Sequence, residues 1–246
     1  MPAPTSARPT PRARRRLARR EAILDAAMRI VVEEGPRGLQ MRQLATELEL
    51  SPGAVYRYFD GKDAIIAALG HRILGRYGAA MDDREARSRA HGRSLPPETA
   101  ALHGVLARAW SYFSLSMGDP GAWRLVNLFL VDKHQLITGE AHDRFMAAVA
   151  AQVGRVGALL DDAVAAGALR PGPGLPRALA IVGTLNGHLQ FLKMAEQSTA
   201  PFEPGQILRL ALSTLLIGWG ADPGRIAAAW AHHDTLPPDT VLGSEE

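Results

Sequence analysis

One dipeptide constrains this chain more than any other feature. Ser51-Pro52 puts an N-cap hydroxyl directly before a proline at the first helical position, which fixes where a helix must begin. Asp60-Gly61 is a turn and ends that helix near Tyr58. A second short helix is predicted just upstream, over 41–48. Residues 39–63 (LQMRQLATELELSPGAVYRYFDGKD) therefore read as two short helices joined by a tight turn, the helix-turn-helix geometry. Ala45 is small where the two helices cross, and Leu44, Leu48, Leu50 and Val55 can close the space between them. Val55 and Phe59 satisfy the inner side of the later helix. Its other side is left with Gly53, Ala54, Tyr56, Arg57 and Tyr58. Packing gives no reason to expose two tyrosines and an arginine, whereas a phosphate backbone and base edges would.

Charge placement points the same way. The formal net charge is only +3, but residues 1–62 hold 12 Lys/Arg against 7 Asp/Glu, and the remainder holds 16 against 18. A basic head on a slightly acidic body is suited to a polyanion. With no cysteine, disulfides, thiolate metal sites and cysteine nucleophiles are excluded. The eight histidines fall at no compact metal-ligand spacing, and His232-His233 is expected to be exposed, so neither a metal nor another cofactor is expected. No apolar run approaches the roughly 18 to 20 residues of a membrane span. Glu21, Asp25, Arg29 and Glu33 interrupt the segment after the arginine cluster, so no secretion signal is read and a cytoplasmic protein is expected.

Helical periodicity runs through the rest of the chain. Pro2, Pro4, Pro9 and Pro11 mark residues 1–16 as a flexible arm rich in Arg and Pro. Ile23, Ala26, Ala27, Ile30 and Val31 give a first helix over 17–34, ended by Gly35-Pro36. A fourth helix is predicted from Asp63 to about Ala80. The charged stretch 82–97 ends in Pro96-Pro97 and reads as a mobile loop. Further helices are predicted over 98–117, 123–131, 140–166, 175–194 and 206–219, and the tail beyond Asp222 holds one short helix at most. No alternating strand pattern is found. The expected fold is all-α: a three-helix head over 17–62, a larger helical domain over 63–222, and a tail over 223–246.

The segment SPGAVYRYFDGKDAI resembles the recognition-helix signature of the TetR family, and MRQLATELEL resembles the helix before it. The resemblance covers roughly residues 18–68. It implies a DNA-binding head on a helical domain that dimerises and often holds a small effector. By position, Gln40 and Arg42 sit at the start of the second helix, against the DNA backbone or groove. Ser51, Gly53, Ala54 and Arg57 face the major groove, and Tyr56, Tyr58 and Lys62 touch phosphates. Arg57 is the natural guanine reader. Packing alternatives stand beside two of these: Tyr58 half-buried against the fourth helix, and Arg42 in an ion pair within the head. Glu49 departs from the family, where many members have glycine in the turn. A left-handed backbone would cost glutamate about 1 kcal/mol or more, which points to another turn geometry. The arginines of 14–20, Arg19 and Arg20 foremost, either contact DNA or belong to a solvated arm.

The late helices 175–194 and 206–219 are rich in Leu, Ile and Val, with Gly183, Gly187, Ala211, Ser213 and Gly218 permitting close approach. They form either internal core or a homodimer interface, and a palindromic duplex favours the dimer. Trp110, Phe113, Met117, Trp123, Phe129 and Phe191, with His134, Asn186 and His188 as polar groups, either line an effector cavity or fill the core. The expected function is a sequence-specific transcriptional repressor, released when a small apolar or aromatic effector shifts the fourth helix. A DNA-binding architectural or adaptor protein without sensing is the alternative. An enzyme is not expected, since no nucleophile motif or phosphate loop is present, and Asp82-Asp83 and Asp161-Asp162 read as solvated faces.

Overall fold

The computed structural model describes residues 10–131, 139–191 and 203–236. Every regular element among them is a helix. In chain order the α-helices are α1 (Pro11–Glu34), α2 (Met41–Glu47), α3 (Pro52–Tyr56), α4 (Lys62–His91), α5 (Pro97–Gly118), α6 (Pro120–Val131), α7 (Gly139–Ala165), α8 (Gly174–Gln190), α9 (Pro204–Gly218) and α10 (Pro223–His233), with a 3-10 turn over Gly92–Ser94 after α4. None of them is long and apolar enough to cross a membrane. The chain divides into two compact units, one holding residues 1–72 and 128–143, the other 73–127 and 144–246. The division falls inside α4.

The first unit is built on α1. Ile23, Ala26, Ala27, Ile30 and Val31 are buried along one face, as their spacing requires. Leu39, Leu44, Ala45, Val55, Phe59, Ile65, Ile66 and Leu69 are buried in the same unit. Gly35, at φ 77°, ends α1 in a conformation that a side chain resists. Ion pairs tie the helices outside this core. Arg72 donates to Asp25 at 2.6 Å and reaches Glu21 at 3.4 Å, and Arg29 donates to Glu47 at 2.6 Å.

Helix α1 starts six residues before the expected position. The Thr10 hydroxyl accepts from the Ala13 amide, and Pro11 occupies the first turn. A hydroxyl cap followed by proline is the same device as at Ser51-Pro52. Residues 11–16 are therefore helical rather than part of a flexible arm, and residues 1–9 lie outside the described part.

In the second unit, α5 is the central helix, with α8 and α10 packed along it and α9 against α8. Leu102, Leu106, Leu160, Ile181, Leu212 and Ala229 form its dry centre. Two expectations fail here. The charged stretch expected as a loop continues α4 as far as His91. Arg84, Glu85 and Ser88 are buried on it, and partners on other helices reach Ser88, from His103 at 3.0 Å, and Glu85. Buried Arg108 donates to Glu85 at 3.2 Å, to Asp82 at 3.0 Å and to Gln152 at 2.6 Å, while Arg155 donates to Glu85 from α7. Asp82, Asp83, Asp161 and Asp162 are exposed, as expected.

The short helix expected beyond Asp222 is α10, and the second failed expectation concerns its histidines. The Asp222 carboxylate accepts from the Arg225 amide and caps α10, whose Ile226, Ala229, Trp230 and His233 are buried. His233 is thus internal, contrary to expectation, and His232 is half-buried. His232 stacks on His91 at 4.2 Å between ring centroids, and His103 lies 5.0 Å from His232 and 6.2 Å from His233. Burial lowers His103 to about 4, helped by His232, His233, His91 and Arg84. Burial likewise lowers His233 to about 4, helped by Arg84 and Arg209 and opposed by Asp234. Among the described residues no three His, Asp or Glu side chains converge as a metal ion would require.

Candidate DNA-binding surface

The surface grows from the turn between α2 and α3. Leu48 caps α2, and its amide returns to the Leu44 carbonyl. Glu49 then adopts φ 54°, so the turn keeps its left-handed residue although glutamate occupies it, contrary to expectation. The geometry is held from both sides: the Glu49 amide donates to Thr46 and the Leu50 amide to Ala45. The strain is local, about 1 kcal/mol. Ser51 follows as the N-cap, its hydroxyl accepting from the Ala54 amide at 3.3 Å.

These caps set the face that α3 shows to solvent. Val55 is fully buried and Phe59 nearly so, which turns Tyr56 and Arg57 outward, Tyr56 being 52% exposed. Ser51 and Gly53 are exposed, and a side chain on Gly53 would meet nothing within 4 Å. The α3 backbone is therefore open to close approach there. Ala54, expected on this face, is 8% exposed and belongs to the core. A helix of five residues has room for only one inner stripe, and Ala54 falls on it beside Val55.

The remaining residues of this group flank α3. Gln40 is the N-cap position of α2, makes no side-chain cap bond and is exposed, as is Arg42. No ion pair holds Arg42 among the described residues. Lys62 is exposed at the first residue of α4. Tyr58 is half-buried and lines an open groove of about 890 Å³ beside α3. The groove's other wall is α1, through Arg12, Arg15, Arg16 and Arg19, and Arg57 completes it. Arg20 is exposed, and its guanidinium lies 4.4 Å over the Phe59 ring, which packs α1 against the end of the motif. Of the arginines lining this groove, Arg15, Arg16 and Arg19 fall in the 14–20 group singled out from the sequence, and Arg12 was missed. Its signal is present, since positions 12, 15, 16 and 19 share one face once the helix is started at Thr10-Pro11.

The residues expected around an effector are less united. Trp110 packs on Phe113 at 5.5 Å and on Trp230 at 5.7 Å. Asn186 accepts hydrogen bonds from Tyr112 at 2.9 Å and Trp123 at 3.3 Å. The half-buried His188 ring sits 2.7 Å from the Thr184 carbonyl. Met117 and Phe191 are exposed, Phe129 is buried in the first unit, and His134 lies outside the described residues.

Known proteins agree with this geometry. The profile of "Bacterial regulatory proteins, tetR family" matches residues 23–69. The transcriptional regulator BetI of Burkholderia lata is 30% identical over 166 residues, covering 63% of this chain and 84% of that protein. The crystal structure of FadR from Bacillus subtilis in complex with stearoyl-CoA superposes with TM-score 0.62 at 19% identity, covering 80% of this chain and 98% of the other. That of AibR in complex with isovaleryl coenzyme A and operator DNA superposes with TM-score 0.56 at 18% identity, again over 80% and 98%. With a helix-turn-helix whose outer face is free and a relative matched over most of its length, the chain belongs to the TetR family of DNA-binding transcriptional regulators.

Proposed function

We propose that this regulator is a repressor that binds a palindromic operator as a homodimer and releases it when a small apolar molecule occupies the body. The observation that carries the operator contact is the pairing of outward Tyr56 and Arg57 on α3 with a fully buried Val55 behind them. Arg57 would read a guanine edge. Ser51 and Gly53 let the α3 backbone approach the major groove, while Tyr56, Tyr58, Lys62, Gln40 and Arg42 meet phosphates. The chain acts in this reading by binding, with no reaction assigned to it.

Exposed apolar side chains support the homodimer. Leu175 and Leu179 on α8, and Ile207, Leu210 and Ile217 on α9, are all exposed, Leu210 by 69%. Gly183 and Gly218 on the same helices have open space above them. A stripe of this kind is costly in water and suits a four-helix contact with a second copy.

The effector class rests on the stearoyl-CoA bound by FadR, whose fold this chain shares, and on the aromatic body helices. One observation favours the sensing-free alternative: the side chains of Asn186 and His188 already have partners inside the fold. A mobility-shift assay on duplex DNA from the region upstream of the protein's own gene, with and without long-chain acyl-CoA, separates the readings. Release by acyl-CoA supports the repressor. Binding indifferent to apolar compounds supports the adaptor. No specific shift on any genomic fragment overturns both.

A further inference from the structure

We infer that the N-terminal part of α1 is a rigid phosphate-binding rail, which lengthens the DNA contact beyond the helix-turn-helix. The inference rests on the proposed operator contact by α3 and assigns a separate surface to it. Three observations carry it.

First, residues 11–20 are helical and wholly exposed, whereas the earliest buried residue of the α1 core stripe is Ile23. The helix thus extends about three turns ahead of its first buried residue. An exposed extension with six of its ten residues arginine gains nothing from the hydrophobic core and must hold six like charges together.

Second, the arginines are sorted by face. Arg12, Arg15, Arg16 and Arg19 line one groove with Arg57 and Tyr58, and no carboxylate lines it. None of these five arginines is in an ion pair among the described residues, whereas Arg29 and Arg72 in the same unit are held by Glu47, Glu21 and Asp25. Arg14 lies off the groove, and Arg20 is engaged by Phe59.

Third, the dimensions suit duplex DNA. Arg12 to Arg19 spans about 10 Å along the helix, the axial length over which one strand carries about three phosphates. Because Arg57 lies in the same groove, a strand held there is continuous with the one that α3 reads. A rigid helical rail binds phosphates from outside. It does not thread the minor groove as an extended arm would.

The test compares wild type with R12A/R15A/R16A/R19A, in which alanine preserves helix propensity and circular dichroism checks that helicity is retained. Fluorescence anisotropy is read at several salt concentrations, on a duplex from the protein's own upstream region and on a random duplex of equal length. The fourfold variant should bind both duplexes at least about tenfold more weakly, with the salt slope reduced by about 3 to 4 per protomer. R16A should weaken binding more than R14A, although each removes one charge. Unchanged affinity and slope in the fourfold variant, with specificity still lost in R57A, would overturn the rail and leave the operator contact standing. Wild type binding neither duplex would overturn both. Variant losses confined to an RNA duplex or anionic vesicles would assign the groove to another polyanion and overturn the inference.

Discussion

Single residues show where the fold accepts a cost. Glu49 holds φ 54° in the turn before α3, a position that glycine fills without strain. Glu49→Gly should therefore raise stability by about 0.5 to 1 kcal/mol. An unchanged or lower urea midpoint would show that the turn carries no strain. Arg108 is the reverse case. It is 2% exposed and satisfies Glu85, itself 3% exposed. Arg108→Met should destabilise by about 3 kcal/mol or more, because the glutamate loses one of its partners while remaining buried. Adding Glu85→Gln should recover part of that loss, and two independent, additive losses would argue that the pair is not coupled. His103 and His233 make stability depend on pH. Both are held near pKa 4 in the folded chain, against about 6.5 when unfolded. Between those values the unfolded chain binds more protons, so stability is complete above about pH 6.5 and falls as pH drops towards 4. The unfolding free energy from denaturant titration should decline steadily over that window, by up to about 2 to 3 kcal/mol per pH unit for the two rings together. A flat profile between pH 7 and 4 would mean that both rings accept protons within the fold.

At the scale of elements, α8 and α9 are half core and half open surface. Leu185 and Leu212 are buried, while Leu179 and Leu210 on the same helices face outward. Leu179→Asp with Leu210→Asp should leave the unit folded, because neither side chain contributes to its core, yet shift the chain to monomers in light scattering. An unchanged dimer would place the interface elsewhere. Helix α4 carries a different lesson. Its later turns contain so many charges that they read as loop, yet Arg84, Glu85 and Ser88 are buried on it. Periodicity counts charge as surface, and this is the situation in which that rule fails: a buried charge whose partner comes from another helix.

For the whole molecule, the proposed dimer makes a geometric prediction about DNA. Two α3 helices related by a two-fold axis require half-sites on the same face of the duplex. Inserting about five base pairs between the half-sites turns one of them to the opposite face and should abolish tight binding, whereas about ten should restore part of it. Equal binding at every spacing would indicate that each protomer binds alone.

Local chemistry made the head legible in the sequence. The Ser51-Pro52 cap, the inner stripe through Val55 and Phe59, and the outward Tyr56 and Arg57 each depend on residues a few positions apart, and the all-helical fold follows from the same short periods. Ala54 escapes such reasoning because one residue's rotation on a five-residue helix is set by what that helix packs on. The folding of residues 82–91 and the burial of His233 were decided only by tertiary structure. Arg155 and Glu85 stand 70 positions apart, and His91 and His232 stand 141 apart. No local pattern announces that such charges and rings will meet. The arginine rail lies between these cases: helix capping and spacing were written near Thr10-Pro11, but the groove exists only because α3 forms its other wall.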